Sequence, residues 1–248
     1  MPSLNPIGYP FTELPAIDST NNYAMGLARE GLAQHGTAVF AHEQTKGKGQ
    51  RNKEWLSAPG KNIAMSIVID ATELNPAQPF LLSMMTANAV RQFLNNHAAD
   101  ETKIKWPNDI YWRDRKAAGI LIENVWQAGE WKFAIAGIGI NINQTDFGEL
   151  GEKAVSLKQI TGKEFVPVEL AKEVCYVLEK NYQQLIANAG PVIDEYKAQL
   201  YRLNRKIKLK KNNRIFEAVI KEVTTNGELV VQHAIEESFG VGEVEWII

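Results

Sequence analysis

The stretch that decides the fold runs Lys105-Trp106-Pro107-Asn108-Asp109 and continues, after a short apolar run, as Asp114-Arg115-Lys116-Ala117-Ala118-Gly119-Ile120-Leu121. It places lysines, an aromatic ring, an amide and carboxylates between two apolar, strand-like segments. Pro107 cannot donate a hydrogen bond to a neighbouring strand, so a strand that begins at Lys103 should stop or kink there. A buried sheet requires the apolar segments but not this polar content, so the stretch is a candidate site.

Taken alone, this stretch has a second interpretation. Lysines at strand ends that face a cleft can hold phosphate or carboxylate, but an ordinary β-turn with solvated lysines explains the same residues. Gly119 is equally open, because a glycine inside a strand indicates a bulge, the close approach of a ligand, or simple packing. The stretch therefore indicates a binding site only if a second polar segment of the chain accompanies it.

A second polar segment lies upstream, from Gln44 to Trp55, and reads Gln-Thr-Lys-Gly-Lys-Gly-Gln-Arg-Asn-Lys-Glu-Trp. Its glycines allow the backbone to approach an anion closely and to adopt positive φ angles. Trp55 could stack on a planar base. The cations of the segment are Lys46, Lys48, Arg51 and Lys53. Its spacing is not that of a Walker A loop, and by itself a solvated hairpin loop is the favoured interpretation, since short glycine motifs often match by chance.

Composition excludes several classes of protein. The chain has 248 residues, enough for one large domain or for a large domain with a small satellite. The formal net charge of -2 provides no global field for nucleic acid. The single cysteine, Cys175, excludes an internal disulfide and a thiolate zinc cluster. The longest apolar run, 133–140, is far shorter than the roughly 20 residues of a membrane span. Residues 1–6 do not resemble a signal peptide, so we expect a cytoplasmic protein.

Periodicity predicts a larger α/β region followed by a small β module. Helices are predicted over 20–31, 79–97, 168–189 and 192–200, and strands over 37–42, 62–69, 103–106, 116–126 and 131–141, the last two joined as a hairpin. After Leu203 apolar residues alternate with lysines, and Asn226-Gly227 is a hairpin signal. We therefore place a first domain at 1–202 and an antiparallel β module at 203–248.

Smaller candidates are better explained by structure than by function. Cys175 lies on the apolar stripe of a helix and is expected to be inert core. The four histidines show no metal-ligand spacing, so no protein metal site is expected. Residues 206–211 alternate lysine with apolar residues, which fits an edge strand protected by charge. Asn141 and Asn143 either donate to a nucleotide base or only terminate a strand.

Four segments together resemble the biotin protein ligases. They are Ser19-Thr20-Asn21, the glycine loop that ends at Trp55, the 105–109 stretch with Lys116 and Gly119, and Gly137-Ile138-Gly139-Ile140-Asn141. The combination spans nearly the whole chain and is specific, although each motif is short. The resemblance implies an α+β fold: a mixed-sheet catalytic domain of the class II aminoacyl-tRNA synthetase and biotin ligase type, with a small C-terminal SH3-like β-barrel. Because Ser19 lies near the start, we expect the short form, without the N-terminal DNA-binding domain of longer members.

The same resemblance implies roles for individual residues. Those similar to the family's biotin contacts are Ser19, Thr20, Asn21, Gln44, Gly47, Lys48, Lys116 and Gly119. Those similar to ATP or adenylate contacts are Lys48, Gly49, Arg51, Trp55, Lys105, Asn108 and Asn141. The expected catalytic residues are Lys48, Arg51 and Lys116, with Asp109 as the candidate to orient the acceptor lysine or take its proton. Gln50 stands where many members carry arginine, which shifts the expected phosphate contacts to Lys48 and Arg51.

The implied activity is ATP- and Mg²⁺-dependent biotinylation of a lysine on a biotin carboxyl carrier protein of the acetyl-CoA carboxylase type, through biotinyl-5′-AMP. Biotin is the substrate, and no DNA or membrane partner is expected. The oligomeric state stays open, with a homodimer as one option. Two rival functions are a lipoate or octanoate ligase, which would require a longer apolar tunnel, and a non-catalytic nucleic-acid-binding module, which the near-neutral charge opposes.

Overall fold

The computed structural model describes residues 5–99 and 101–247, including the backbone but not the side chain of Asn52. Residues 1–4, on which most of the signal-peptide argument rests, lie outside the described residues. Within the described ranges, none of the helices combines the length and the apolarity that a membrane crossing requires.

A mixed sheet forms the larger part of the molecule. Its strands, in chain order, are β1 (Phe11–Leu14), β2 (Ala38–Ala41), β3 (Ile63–Asp70), β4 (Thr102–Lys105), β5 (Asp109–Trp112), β6 (Arg115–Gln127) and β7 (Glu130–Ile140). Their order across the sheet is β1-β2-β3-β7-β6-β5-β4. β1 and β2 are parallel and the other neighbours are antiparallel. The short connection between β4 and β5 places Lys105 directly opposite Asp109.

Helices cover both faces of this sheet. They are α1 (Thr20–Arg29), α2 (Phe80–Ala98), α3 (Leu157–Thr161), α4 (Pro167–Ala187) and α5 (Ala189–Ala198). Side chains alternate between the two faces of a strand. Met65 and Ile67 of β3 therefore join the large core under α2 and α4, whereas Val68 joins the smaller cluster under α1. The α1 face is the one that carries polar residues and glycines.

The C-terminal residues form a second, antiparallel sheet. It contains β8 (Lys206–Lys211), β9 (Arg214–Val223), β10 (Leu229–Gln232), β11 (Glu236–Phe239) and β12 (Glu245–Ile247), in the order β11-β10-β9-β8-β12. The indole nitrogen Nε1 of Trp106 donates a hydrogen bond to the Gly227 carbonyl at 2.9 Å, which ties this sheet to the turn after β4. The C-terminal module is thus packed beside the stretch that decides the fold.

The structure confirms the α+β class with a mixed sheet, and the predicted helices and strands recur with ends displaced by a few residues. One strand assignment is wrong. β8, which carries the lysine-rich run 206–211, is not an edge strand, because it pairs with β9 on one side and β12 on the other. β12 is so short that its alternation pattern could not be recognised. The SH3-like description of this module and the division at 202/203 stay predictions.

Three elements were missed. β1 and β5 are each four residues long, too short to show a period against their polar flanks. α3 had a signal that could have found it: Ser156 and Gln159 form a capping box, and Gly162 ends the helix with a left-handed backbone. Cys175 is buried as expected, and in the described part of the chain no three His, Cys, Asp or Glu side chains meet as a metal-binding group.

A buried polar cluster fastens α1 to the sheet. Ser66 of β3 is fully buried, and its Oγ lies 2.7 Å from Thr20 Oγ1 and 2.5 Å from Asn21 Oδ1. Thr20 also donates from its backbone N and its hydroxyl to Gln44 Oε1, at 2.8 and 3.0 Å. Asn21 Nδ2 donates to Glu123 Oε2 at 2.8 Å. Because buried polar groups are costly when unpaired, this cluster fixes the start of α1 in one position.

We predict that Ser66→Ala lowers the free energy of unfolding by roughly 1–3 kcal/mol, because it leaves Asn21 Oδ1 buried without that partner. Urea denaturation measures the change. Ser238 is the matched control, since it is an exposed serine on a strand, and Ser238→Ala should change the free energy by less than about 0.5 kcal/mol. Equal effects of the two substitutions would contradict the proposed importance of the cluster.

Candidate functional site

One large cavity opens on the α1 face of the main sheet and has a volume of about 750 Å³. Its walls come from the start of α1, the glycine segment, strands β5 to β7, and the last turn and strand of the C-terminal module. Most of the residues predicted from the sequence line it: Ser19, Thr20, Asn21, Gln44, Lys48, Gly49, Arg51, Trp55, Lys105, Asn108, Asp109, Lys116 and Gly119. The fold therefore brings the two candidate segments together, and with them the start of α1.

One end of the cavity is lined by polar, uncharged side chains. They belong to the cluster that fastens α1, with Ser19, Thr20 and Asn21 almost completely buried, and the Glu123 carboxylate of that cluster lies behind them, outside the lining. Ser19 is the residue before α1, and its side chain makes no capping hydrogen bond. The hydroxyl and amide groups here are held by one another rather than by solvent. Such an arrangement can recognise a neutral group that both donates and accepts hydrogen bonds.

Three strand glycines in the cavity wall allow other side chains to pack closely against the sheet. A methyl group at Gly137 would overlap the Asn21 amide, and one at Gly139 would overlap the Trp55 indole. A methyl group at Gly119 would lie 3.0 Å from Trp55 Cζ3 and 3.2 Å from Lys116 Nζ. The neighbours of these glycines are side chains of the chain itself, which fits the packing interpretation of Gly119. Gly119 also lines the cavity, and its contact with a ligand stays a prediction.

The other end of the cavity is cationic. Lys116 Nζ lies 2.6 Å from Asp109 Oδ1 and 5.4 Å from the centre of the Trp55 ring. Burial lowers the pKa of Lys105; nearby Asp109 opposes this shift, whereas Lys116 and Lys53 add to it by repulsion. Burial likewise raises the pKa of Tyr111, which keeps this phenol neutral and protonated. An anion that entered this end would relieve the repulsion between the ammonium groups.

The glycine segment closes on itself as a small loop. The Trp55 N–H donates to the Gly47 carbonyl at 2.9 Å, and the Gly49 N–H donates to the Lys53 carbonyl at 2.7 Å. Gly47 and Gly49 do not use the positive φ angles that glycine allows; the left-handed residue of this loop is Arg51, with φ of 57°. Gly47 does not line the cavity; it is small because the Trp55 carbonyl packs against it.

The loop cations are exposed and point in different directions. Lys48 Nζ lies 3.6 Å from Glu123 Oε1, which connects it to the polar end of the cavity. The Arg51 guanidinium lies against Gly242 of the C-terminal module, where an added methyl group would be 3.1 Å from its Cζ. Gln50, at the position where arginine was expected, also lines the cavity. Positive charge that can attract an anion therefore lies on two sides of the loop, the side toward Glu123 and the side toward the C-terminal module.

The two asparagines expected on the nucleotide side differ. Asn108 lines the cavity, although its Nδ2 already donates to the Ile120 carbonyl at 2.7 Å. Asn141 does not line it. The Asn141 amide donates to the Val155 and Lys116 carbonyls at 3.2 and 3.3 Å. This arrangement fits the alternative in which Asn141 terminates its strand and holds the following segment.

Several site residues were missed from the sequence. Ser66 interrupts an apolar strand, and that signal could have found it. Glu123 lies in a predicted strand and Tyr111 in the apolar run that follows Asp109, but nothing in the sequence shows which way they face. Trp246 and the turn before it line the cavity from the far end of the chain. No local pattern reveals such a long-range contribution.

Known proteins resemble this chain over most of its length. A bifunctional ligase/repressor BirA from Escherichia coli is 30% identical over 228 residues, which cover 88% of this chain and 68% of that protein. A biotin–[acetyl-CoA-carboxylase] ligase from Paracoccus denitrificans is 29% identical, covering 88% of this chain and 92% of that protein. Other relatives match over less: the chain spans 53% of the length of the Bacillus subtilis BirA.

Solved structures show the same fold. The biotin protein ligase from Aquifex aeolicus, in complex with biotin and ATP, superposes with a TM-score of 0.80 at 24% identity, covering 96% of this chain and 98% of that one. The family model described as "Biotin/lipoate A/B protein ligase family" matches residues 13–141, the region that holds the glycine loop, the 105–109 stretch and the strand glycines. The chain therefore belongs to the biotin/lipoate A/B protein ligase family.

Proposed function

We propose that this protein is an ATP-dependent biotin–protein ligase. It joins biotin to a lysine of a biotin carboxyl carrier domain of the acetyl-CoA carboxylase type, through biotinyl-5′-AMP. The observation that carries the proposal is the division of one cavity into an uncharged, hydrogen-bonding end and a cationic end. Biotin has the matching form, a neutral ureido ring at one end and a carboxylate at the other.

The uncharged end favours biotin over lipoate. The ureido group donates and accepts hydrogen bonds. Hydroxyl and amide side chains carry both acceptors and donors that can pair with it, and this end offers those of Ser19, Thr20, Asn21 and Gln44. The dithiolane ring of lipoate offers no N–H or carbonyl. Sites that are built to hydrogen-bond a substrate reject analogues that lack those groups, because the buried polar atoms are left unpaired.

The cationic end suits adenylation. An oxygen of the biotin carboxylate forms a bond to the α-phosphorus of MgATP, the bond from that phosphorus to the bridging oxygen breaks, and pyrophosphate leaves with the electron pair. Negative charge grows on the α-phosphate oxygens. Lys116, Lys105, Lys48 and Arg51 supply fixed positive charge where the two anions meet, and the Mg²⁺ that accompanies ATP supplies more. The protein needs no covalent nucleophile for this step.

The second step transfers biotin to the carrier. The lysine amine of the carrier attacks the acyl carbon of the mixed anhydride, and AMP leaves. Asp109 is our candidate to orient this amine or to take its proton. In the free protein its carboxylate is paired with Lys116, so the same group also orients Lys116 for the first step. Lys116 would shift toward the phosphate when the adenylate forms, which would free Asp109 for the amine.

The loop and its neighbours complete the nucleotide side. We assign the backbone of Gly49 to the phosphate, and Trp55 and Asn108 to the adenine side. Gly47, expected at the biotin tail, does not line the cavity and acts through the close packing of the Trp55 carbonyl against it. Asn141 acts there only indirectly, through the backbone that it holds. The proposal keeps 1–202 as the catalytic domain and 203–248 as an SH3-like module.

Biotin should support exchange of labelled pyrophosphate into ATP, and lipoate should not. The reason is that adenylation is reversible and its first substrate must satisfy the polar end of the cavity. Exchange is measured with each acid over a range of concentrations. Exchange with lipoate but not with biotin would overturn the substrate assignment. Salt-sensitive DNA binding without any exchange would favour the nucleic-acid-binding alternative.

Lys116→Ala should slow biotinyl-5′-AMP formation by roughly 10²–10³-fold, the scale for loss of one group that stabilises transition-state charge. Single-turnover kinetics measures the rate. Lys163→Ala is the matched control, because Lys163 is an exposed lysine between α3 and α4, and it should leave the rate unchanged. A rate for Lys116→Ala close to that of the unaltered protein would remove Lys116 from the site.

Ligand should order the glycine loop. Its cations repel one another when the loop is free, and a phosphate relieves this repulsion. Trypsin should therefore cleave the free protein after the exposed residues Lys46, Lys48, Arg51 and Lys53. Biotin with MgATP should protect these bonds, and a non-hydrolysable ATP analogue alone should protect them less. Cleavage after Lys163 serves as the internal reference. Equal loop cleavage with and without ligand would contradict closure of the loop.

A further inference from the structure

The C-terminal module lines the cavity beside its cationic end. Val241, Gly242, Val244, Glu245 and Trp246 line the cavity. Trp246 lies on β12, which is three residues long and pairs with β8 alone among the described strands. Its indole is placed by a neighbouring ring, Tyr201, with ring centres 5.9 Å apart. The module thus contributes one aromatic side chain, that of Trp246, to the cavity wall from a short strand at the edge of its sheet.

That side chain contacts a lysine of the stretch that decides the fold. Lys105 Nζ lies 5.2 Å from the centre of the Trp246 ring and 5.0 Å from the centre of the Tyr111 ring. Both distances are within the range of cation–π attraction. Tyr111 in turn packs against Tyr201, with ring centres 5.2 Å apart. The Lys105 ammonium is therefore held by one ring from each sheet.

We propose that Trp246 is a positioning residue for the adenylation step, which fixes the Lys105 ammonium where it meets the phosphates of MgATP. This inference rests on the proposed function. Trp246 has no acid–base or nucleophilic chemistry of its own, so its effect passes through Lys105.

The need for such a device follows from the lysine itself. Its four-carbon stem has many rotamers, and ordering it costs conformational entropy. Asp109, the carboxylate opposite Lys105 in the sheet, is already paired with Lys116. Repulsion from Lys116 and Lys53 also acts on Lys105. Aromatic faces hold an ammonium group without pairing it with a carboxylate, so the ammonium stays available to a phosphate.

The test is a double-mutant cycle on MgATP. Trp246→Ala should lower kcat/KM for MgATP in the biotin-dependent exchange reaction by roughly 5- to 30-fold, the range of a partly desolvated cation–π contact. Trp246→Phe, which keeps an aromatic face, should retain activity within about 3-fold. In a Lys105→Met background, where no cation remains to be placed, Trp246→Ala should add less than about 2-fold.

Controls separate positioning from folding. Trp126 lies at the exposed end of the β6–β7 hairpin, so Trp126→Ala should leave kcat/KM unchanged. Biotin affinity, measured by calorimetry, should change by less than about 2-fold in Trp246→Ala, because the uncharged end of the cavity is untouched. The dissociation constant of MgATP, measured in the same four variants of the cycle, should show the same coupling.

Three results would overturn the inference. One is a Trp246→Ala protein as active as the unaltered chain. Another is a Trp246→Ala effect that persists undiminished without Lys105, and the third is failure of Trp246→Phe to restore activity while biotin binding is intact. Failure of the proposed function looks different, since the unaltered protein would then show no biotin-dependent exchange; the coupling in MgATP affinity would still decide the role of Trp246.

Discussion

The placement of several ammonium groups around one cavity, one of them largely buried, is the constraint from which the other features of the site follow. Burial is the main cause that lowers the pKa of Lys105; Asp109 opposes this shift, and repulsion from Lys116 and Lys53 adds a smaller part. Asp109 offsets part of this charge through its pair with Lys116. The sheet holds Lys105 and Lys116 near each other although their charges repel. An anionic substrate would relieve this repulsion on binding. Under the proposed function, such a site stabilises the transition state of adenylation most strongly, because negative charge on the α-phosphate oxygens is greatest there.

At the other end of the cavity, hydrogen bonds rather than charges orient the side chains. Its hydroxyls and amides are buried and held by mutual hydrogen bonds, so their directions are set before a substrate arrives. Strand glycines allow these side chains to pack closely on the sheet, because side chains at 137 or 139 would collide with Asn21 or Trp55. Under the proposed function, selectivity arises where groups are neutral and directional, and reactivity where they are charged. One sheet face carries both, since alternate residues of neighbouring strands point the same way.

Sequence predicted the elements whose signal is local. Long helices, the β6–β7 hairpin and the glycine and 105–109 segments were all visible from periodicity and composition, and the structure places most of the expected residues in one cavity. The failures have physical reasons. β8 has a second neighbour because β12, over thirty positions away in the chain, pairs with it. The Asn141 amide donates to a backbone carbonyl instead of facing the cavity. The positive φ angle of the glycine loop falls on Arg51 instead of a glycine. Orientation and long-range pairing decide these features, and neither has a local signature.

The C-terminal module and the glycine loop meet where Arg51 lies beside Gly242. Gly242 has a φ of 93°, a conformation in which a side chain would be strained as well as crowded by the guanidinium. Arg51 itself is left-handed. Two unusual backbone positions therefore face each other across the entrance. If the loop moves when ligand binds, as proposed, Arg51 moves relative to this turn. The small sheet thus contacts the catalytic domain on two sides of the cavity, at Arg51 through Gly242 and at Lys105 through Trp246.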